Sequence, residues 1–340
     1  MSGVPSITVV LVSWEPGEEL VKCITSLAGA RSRVPPAGPR VAFALVDNGS
    51  ASFPKEAIAG LLPDAAIHVN AENIGFGPAA NQAARQVPGD VLLFLNPDTQ
   101  AEGDPFTPLA EGFAAHPEAV ALAPRLLEPP TRAFEPQESF QLRHLPTRGQ
   151  ALRELLLVDR AFPRNRSLAR DRYAHEDRER PFPIEQPAAA ALAVRRMAFE
   201  RLSGFDEAFT PAWFEDVDLC ARLRRLGEIL YWPSSRFVHS GGTAARALGY
   251  DRFLPLYYRN AYRYWRKHRG RVDASFYRAL VAAGMLLRLG VLPWRVAVPR
   301  RRGEAANAYV RVLRAALGLD RSFSIPRPMR RAWDAAGTRA

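Results

Sequence analysis

A chain of 340 residues that is 47% apolar has room for one large domain and an appendage, and its apolar content excludes wholesale disorder. With 46 Lys and Arg against 35 Asp and Glu, its net charge of +11 favours an anionic partner: nucleic acid, phospholipid or a phosphorylated substrate. The two cysteines, Cys23 and Cys220, form no C-x-x-C, which disfavours zinc and thiol-redox motifs and fits a reducing compartment.

Ile7–Val12 is a continuous apolar run, as a strand buried on both faces requires. Pro16 suits a helix start, and Leu20, Val21, Ile24 and Leu27 share one helical face. Val41–Val46 predicts a second strand, ending in Asp47-Asn48-Gly49-Ser50, and Ile67–Val69 a short third. Pro78–Val87 predicts a helix, and Val91–Leu95 a fourth strand ending in Asn96-Pro97-Asp98-Thr99. The alternation predicts an α/β domain with an open, mostly parallel sheet and helices on both faces. From Glu128 to Pro183 proline and charge are frequent, which predicts a long, poorly packed excursion. Order resumes with a strand at Ala188–Val194, helices at Arg195–Leu202 and Asp216–Leu226, and a strand at Glu228–Trp232. From about Tyr250 the chain reads as helical and basic, so a division is expected into residues 1–245 and a C-terminal region, 246–340. Met1–Ser6 lacks the basic run and apolar stretch of a signal peptide. No run reaches the ~18 apolar residues of a membrane span. Ala279–Trp294 comes nearest and is interrupted by Arg288.

In an open parallel sheet, ligands bind beyond the carboxyl ends of the strands. Four such ends carry short polar residues or glycines: Ser13-Trp14-Glu15, Asp47-Asn48-Gly49-Ser50, Asn73-Ile74-Gly75-Phe76-Gly77 with Asn81, and Asn96 with Asp98. Any one alone reads equally well as a turn; their coincidence points to a ligand site. No G-x-G-x-x-G follows the first strand and no G-x-x-x-x-G-K-[ST] occurs, which disfavours nicotinamide dehydrogenases and P-loop NTPases. A second cluster, Trp213-Phe214-Glu215-Asp216-Val217-Asp218, crowds acids at a helix start, where they also complement the helix dipole. Asp216 and Asp218 are two positions apart and point in different directions, so they serve different purposes. His239, before Ser240-Gly241-Gly242, has the position of a metal ligand, a phosphate donor or a structural histidine.

These residues together resemble the family-two glycosyltransferases of the GT-A fold, in particular the bacterial rhamnosyltransferase-type branch. The resemblance covers about Ser6 to Thr243. Its most specific pieces are Val46-Asp47-Asn48-Gly49-Ser50, Asn73-Ile74-Gly75-Phe76-Gly77 with Asn81, Leu95-Asn96-Pro97-Asp98, Gly204-Phe205-Asp206, and Glu215-Asp216-Val217-Asp218-Leu219-Cys220 with Arg222. It implies a nucleoside-diphosphate-sugar site formed by Val12, Ser13, Glu15, Asp47, Asn48, Asn73, Gly75, Asn81, Asn96 and Asp98. Asp98 stands where the family places the last carboxylate of its D-x-D motif, which binds Mg²⁺ or Mn²⁺ against the donor diphosphate. The first position is Asn96, so His239 is implied as the second metal ligand. Asp216 matches the catalytic base, and Trp213, Phe214 and Glu215 the acceptor side. The implied reaction is a single displacement with inversion, with rhamnose from dTDP-rhamnose as first donor and a glycan or polyprenyl-linked acceptor in cell-envelope polysaccharide synthesis.

The tail interleaves aromatics and arginines from Tyr257 to Arg269, and Arg295, Arg300, Arg301 and Arg302 follow the Ala279–Trp294 segment. Such composition suits a membrane interface. Peripheral contact with the cytoplasmic face of a bacterial plasma membrane is therefore expected. Nucleic-acid binding, the rival use of a basic aromatic surface, leaves the carboxylate clusters unexplained and is not expected. A non-catalytic nucleotide-sugar binder would have no need of Asp216. A nucleotidyltransferase would need a glycine-rich basic loop that Ser13–Gly17 does not supply.

Overall fold

The computed structural model describes residues 3–129, 141–241, 249–295 and 299–320. Eleven strands occur among them: β1 (Ile7–Ser13), β2 (Val41–Asp47), β3 (Ala66–Val69), β4 (Val91–Leu95), β5 (Thr99–Ala101), β6 (Ala119–Leu127), β7 (Leu142–Arg143), β8 (Phe182–Ile184), β9 (Gln186–Pro187), β10 (Ala191–Arg195) and β11 (Glu228–His239). The helices are α1 (Glu19–Arg31), α2 (Lys55–Leu61), α3 (Phe76–Ala84), α4 (Phe106–Ala115), α5 (Arg148–Leu155), α6 (Val158–Ala161), α7 (Arg166–Asp171), α8 (Arg196–Arg201), α9 (Glu215–Leu223), α10 (Tyr250–His268), α11 (Gly270–Arg295) and α12 (Pro299–Ala316).

The chain forms two compact units. Among the described residues, the first comprises those within 1–145, 169–205 and 216–244; the second comprises those within 146–168, 206–215 and 245–340. The boundary expected at 245/246 lies outside the described residues. The helical unit also takes in two segments from the earlier part of the chain.

The first unit is built on one sheet of order β3-β2-β1-β4-β10-β6-β11-β5, with β8 paired to β11. Strands β1 to β4 run parallel, and β6 and β11 continue that direction, while β10, β5 and β8 run against it. Successive side chains on a strand alternate faces, so Ile7, Val9 and Leu11 enter one core with Leu20, Leu27, Phe43 and Phe106. Val10 and Val12 enter the other with Ala44, Ala79, Phe94 and Phe205. Both faces are covered, which is why these strands are continuous apolar runs.

Two readings change. The excursion is ordered wherever it is described, and 130–140 lies outside those residues. Strands β7 and β9 pair, and Gln141 seats its amide between Pro124 O (2.5 Å) and Leu126 N (3.0 Å). Their two-residue length leaves no periodicity to detect. The strand expected at Glu228–Trp232 continues to His239, past register shifts between Trp232 and Arg236. Pro233 interrupts the apolar pattern at that irregularity and masks the continuation.

The second unit is helical, with α10, α11 and α12 packed on one another. The segment 206–215 is tied to α10 by donors meeting carbonyl oxygens: Asn260 to Ala212 (2.9 Å) and Trp213 (3.1 Å), Arg259 to Thr210, and Arg263 to Ala208.

Candidate active site

Parallel pairing sets Ser13 beside Asp47 at the carboxyl ends of β1 and β2. The Asp47 carboxylate is buried and accepts from Ser50 N (3.0 Å) and Ser50 Oγ (2.6 Å). Glu15 closes the same turn, its N–H donating to Ser50 Oγ (2.9 Å) and its carboxylate accepting from Ala51 N (2.8 Å). Gly49, with φ +77°, passes so close to Glu72 that a Cβ would lie 2.7 Å from its carbonyl carbon. Asn48 bridges to the next loop: its amide donates to Asn73 Oδ1 (2.9 Å), and its oxygen accepts from Ile74 N (3.1 Å). Asn73 in turn accepts from Gly75 N (2.9 Å), at the entry to α3. Val12 is buried, and Ser13 Oγ is buried with no hydrogen-bond partner among the described residues. A buried hydroxyl of that kind is costly unless a ligand satisfies it.

Asp98 and His239 meet because β5 pairs antiparallel with the end of β11, setting Thr99 opposite His239. His239 Nε2 lies 3.2 Å from Asp98 Oδ1, with both side chains largely buried. The Asp98 carbonyl accepts from Ser240 N (3.0 Å). Two donors at about 2.1 Å from one ion, near a right angle, stand about 3 Å apart. The pair therefore fits a cation held by one carboxylate and one imidazole. No cluster of three or more His, Cys, Asp or Glu suited to a metal occurs among the described residues. Oxygen atoms from outside the protein would have to complete the coordination.

Asp216 lies near the start of α9, half-buried, with Val217 N donating to Oδ1 (2.8 Å). Burial pushes its carboxyl above the ordinary aspartate value, opposed by the backbone N–H groups of Val217 and Ala189 and by the charge of Arg143. Ala189 links the two halves of the site. Its N–H reaches Asp216, while the carbonyl of the next residue, Ala190, accepts from Asn96 N (3.0 Å). Asp218 has surroundings of its own. It holds Arg222 Nε (2.7 Å), whose guanidinium also donates to the carbonyls of Leu202 (3.1 Å) and Gly204 (2.9 Å).

Asn81, expected along the nucleotide, also braces the chain behind it. Asn81 is buried, donates to Phe205 O (3.0 Å) and accepts from Phe205 N (2.8 Å), so its amide fixes the Gly204-Phe205 turn. In the helical unit, the Trp213 ring packs edge-on to Phe253 and the Phe214 ring against Tyr257 and Tyr264. Both residues have left-handed backbones, φ +72° and +70°. Non-glycine residues rarely hold that conformation, and it concentrates at functional sites. Glu215 is buried at the end of the same segment. Sequence reasoning missed Arg143, whose two-residue strand carries no recognisable signal.

Residues 8–201 match the sequence pattern of Glycosyl transferase family 2, which is more than half of the chain. The chain belongs to that family. It is a glycosyltransferase, and its mixed sheet with flanking helices is the GT-A fold. The matched span contains the Asp47 and Asp98 strand ends; Asp216 and His239 follow it. Among curated relatives, the N-acetylglucosaminyl-diphospho-decaprenol L-rhamnosyltransferase of Mycobacterium tuberculosis is 28% identical over 249 residues, 68% of this chain and 75% of the relative. Among solved structures, GalNAc-T7 with UDP, GalNAc and Mn²⁺ aligns at TM-score 0.55 and 14% identity, over 92% of this chain. This glycosyltransferase spans only 55% of the GalNAc-T7 chain. The mannosyltransferase PcManGT of Pyrobaculum calidifontis, in complex with GDP-Man and Mn²⁺, aligns at TM-score 0.52 and 14% identity, over 93% of this chain and 87% of its own.

Proposed function

We propose that this glycosyltransferase moves a sugar, rhamnose from dTDP-rhamnose in the first instance, to a polyprenyl-linked or glycan acceptor with inversion. The reading places it at the cytoplasmic face of the bacterial plasma membrane, in cell-envelope polysaccharide synthesis. Residues 1–245 carry the catalysis and 246–340 the membrane contact. The observation that carries it is the connection, through Ala189 and Ala190, of the half-buried Asp216 carboxylate to the loop bearing Asp98, which meets His239 at the end of β11. The rhamnosyltransferase relative, whose name specifies a decaprenol-diphosphate-linked N-acetylglucosamine, supports the acceptor class. The Mn²⁺ in both solved relatives supports a divalent cation.

In this reading Ser13, Asp47, Asn48 and the Asn73–Gly75 loop receive the nucleotide, with Val12, Glu15 and Asn96 shaping its surroundings. Asp98 and His239 hold Mg²⁺ or Mn²⁺. When bound, such a cation neutralises charge on the departing diphosphate. Asp216 accepts the proton of the acceptor hydroxyl as its oxygen attacks the anomeric carbon, and the sugar–phosphate bond breaks on the opposite face. One displacement needs one base. Burial of Asp216 suits that task, because a raised pKa makes the carboxylate a stronger base. Trp213, Phe214 and Glu215, immediately before Asp216 in the chain, serve the acceptor side.

The test is a panel of dTDP-, UDP- and GDP-sugars with and without Mn²⁺, scored by thermal shift of the full chain. Stabilisation by the dTDP class that needs Mn²⁺ is expected. A response to UDP- or GDP-sugars alone would replace the donor, and no response to any would remove the reading.

A further inference from the structure

Helix α11 carries its charges on one side. Asp273 pairs with Arg148, Arg278 donates to Ala316 O (2.5 Å), and Arg288 donates to the carbonyls of Leu155 (2.6 Å), Glu154 (3.1 Å) and Gly284 (3.1 Å). These contacts lie within the helical unit. At 100° per residue, Val272, Ala279, Ala283, Leu286, Leu287 and Gly290 fall on the opposite side. All six are exposed, Val272 at 76%, Leu286 at 59% and Leu287 at 37%. No ionisable residue interrupts this stripe, which is about 27 Å long at 1.5 Å per residue. Ser275, at its edge, turns its hydroxyl back to Arg271 O (2.9 Å).

Charge identifies what this face meets. Residues 249–340 contain 20 Lys and Arg against 5 Asp and Glu, whereas residues 1–248 contain 26 against 30. The basic surplus of the whole chain therefore resides in the C-terminal region. Arg269 and Arg271 are exposed just before the stripe, and Arg295, Arg300, Arg301 and Arg302 follow it in sequence. Two such faces would repel each other across a dimer, while an anionic lipid surface attracts both their charge and their apolar stripe. Gly270–Pro293 is long and apolar enough to cross a membrane, but Asp273, Arg278 and Arg288 within it are tied to neighbours in the unit, which holds one side of the helix against protein.

We propose that α11 lies along an anionic bilayer surface, with the Val272–Gly290 stripe entering the headgroup boundary. The proposal rests on the membrane contact in the functional reading and supplies its surface. Co-sedimentation of the full chain with vesicles of phosphatidylcholine, alone or with about 30% phosphatidylglycerol, tests it. Binding to the anionic vesicles only, weakened by salt, is expected. Leu286→Glu with Leu287→Glu should lower it about tenfold or more. A fluorophore on Ala283→Cys should shift to the blue with anionic vesicles, independently of how that double variant folds. Equal sedimentation of wild type and a folded double variant, or an unshifted fluorophore, would overturn the proposal. So would a dimer in light scattering that the double variant dissociates. Turnover plays no part in these readouts, so their failure is separable from failure of the glycosyltransferase reading, which the donor panel reports.

Discussion

The carboxyl edge of the sheet and helix α10 both bury polar side chains, and they do so with different chemistry. At the sheet edge two carboxylates, Asp47 and Asp98, are buried, and Asp216 is half-buried. On α10 the buried side chains of Asn260 and Arg263 direct N–H donors onto carbonyl oxygens of residues 208–213. Arginine has donors only and a backbone carbonyl is an acceptor, so such pairs close on themselves. Carboxylates gathered at one edge cannot satisfy one another, and they favour a cation or a donor-rich ligand. Buried polarity alone therefore does not mark a site; the accumulation of one kind of partner does.

The contrast is sharpest at Asp216. Asp216→Asn should lower kcat by ~10²–10⁴-fold, the span of a lost general base, while leaving the donor-induced thermal shift intact. Loss of that shift as well would move Asp216 into the donor site. Asp98→Ala should remove the Mn²⁺-dependent part of donor stabilisation, weakening Mn²⁺ affinity by at least ~10-fold. An undiminished Mn²⁺ response in titration calorimetry would detach Asp98 from the metal. Asn260→Ala, on the helical side, should cost about 1–3 kcal/mol in urea unfolding by stranding two carbonyls, and should leave the donor thermal shift unchanged.

The smallest effect is in pH dependence. A base works deprotonated, so turnover falls as pH drops through the pKa of Asp216. Because burial raises that pKa, the acid limb of kcat should lie above the range of an exposed aspartate. Removing the opposing charge with Arg143→Gln should move it higher still. A limb that stays in place in that variant would show that Arg143 does not act on Asp216.

The strands were legible because burial on both faces demands uninterrupted apolar runs, and Val91–Leu95 has the same limits in sequence and structure. The acceptor-rich strand ends were legible because a parallel sheet brings its carboxyl ends to one edge. That Asp216 and Asp218 face different surroundings followed from helical geometry. What the sequence could not place was any interaction that depends on short or irregular elements: the β7–β9 pair that carries Arg143, whose charge acts on Asp216, the run of β11 past its register shift to His239, and the hydrogen bonds of Asn81 to Phe205. Periodicity exists only where several consecutive residues repeat an environment. A two-residue strand, a register shift or a single side-chain bracket has none, and its partner, 124 residues away in the case of Asn81 and Phe205, is decided only when the packed sheet fixes both ends in space.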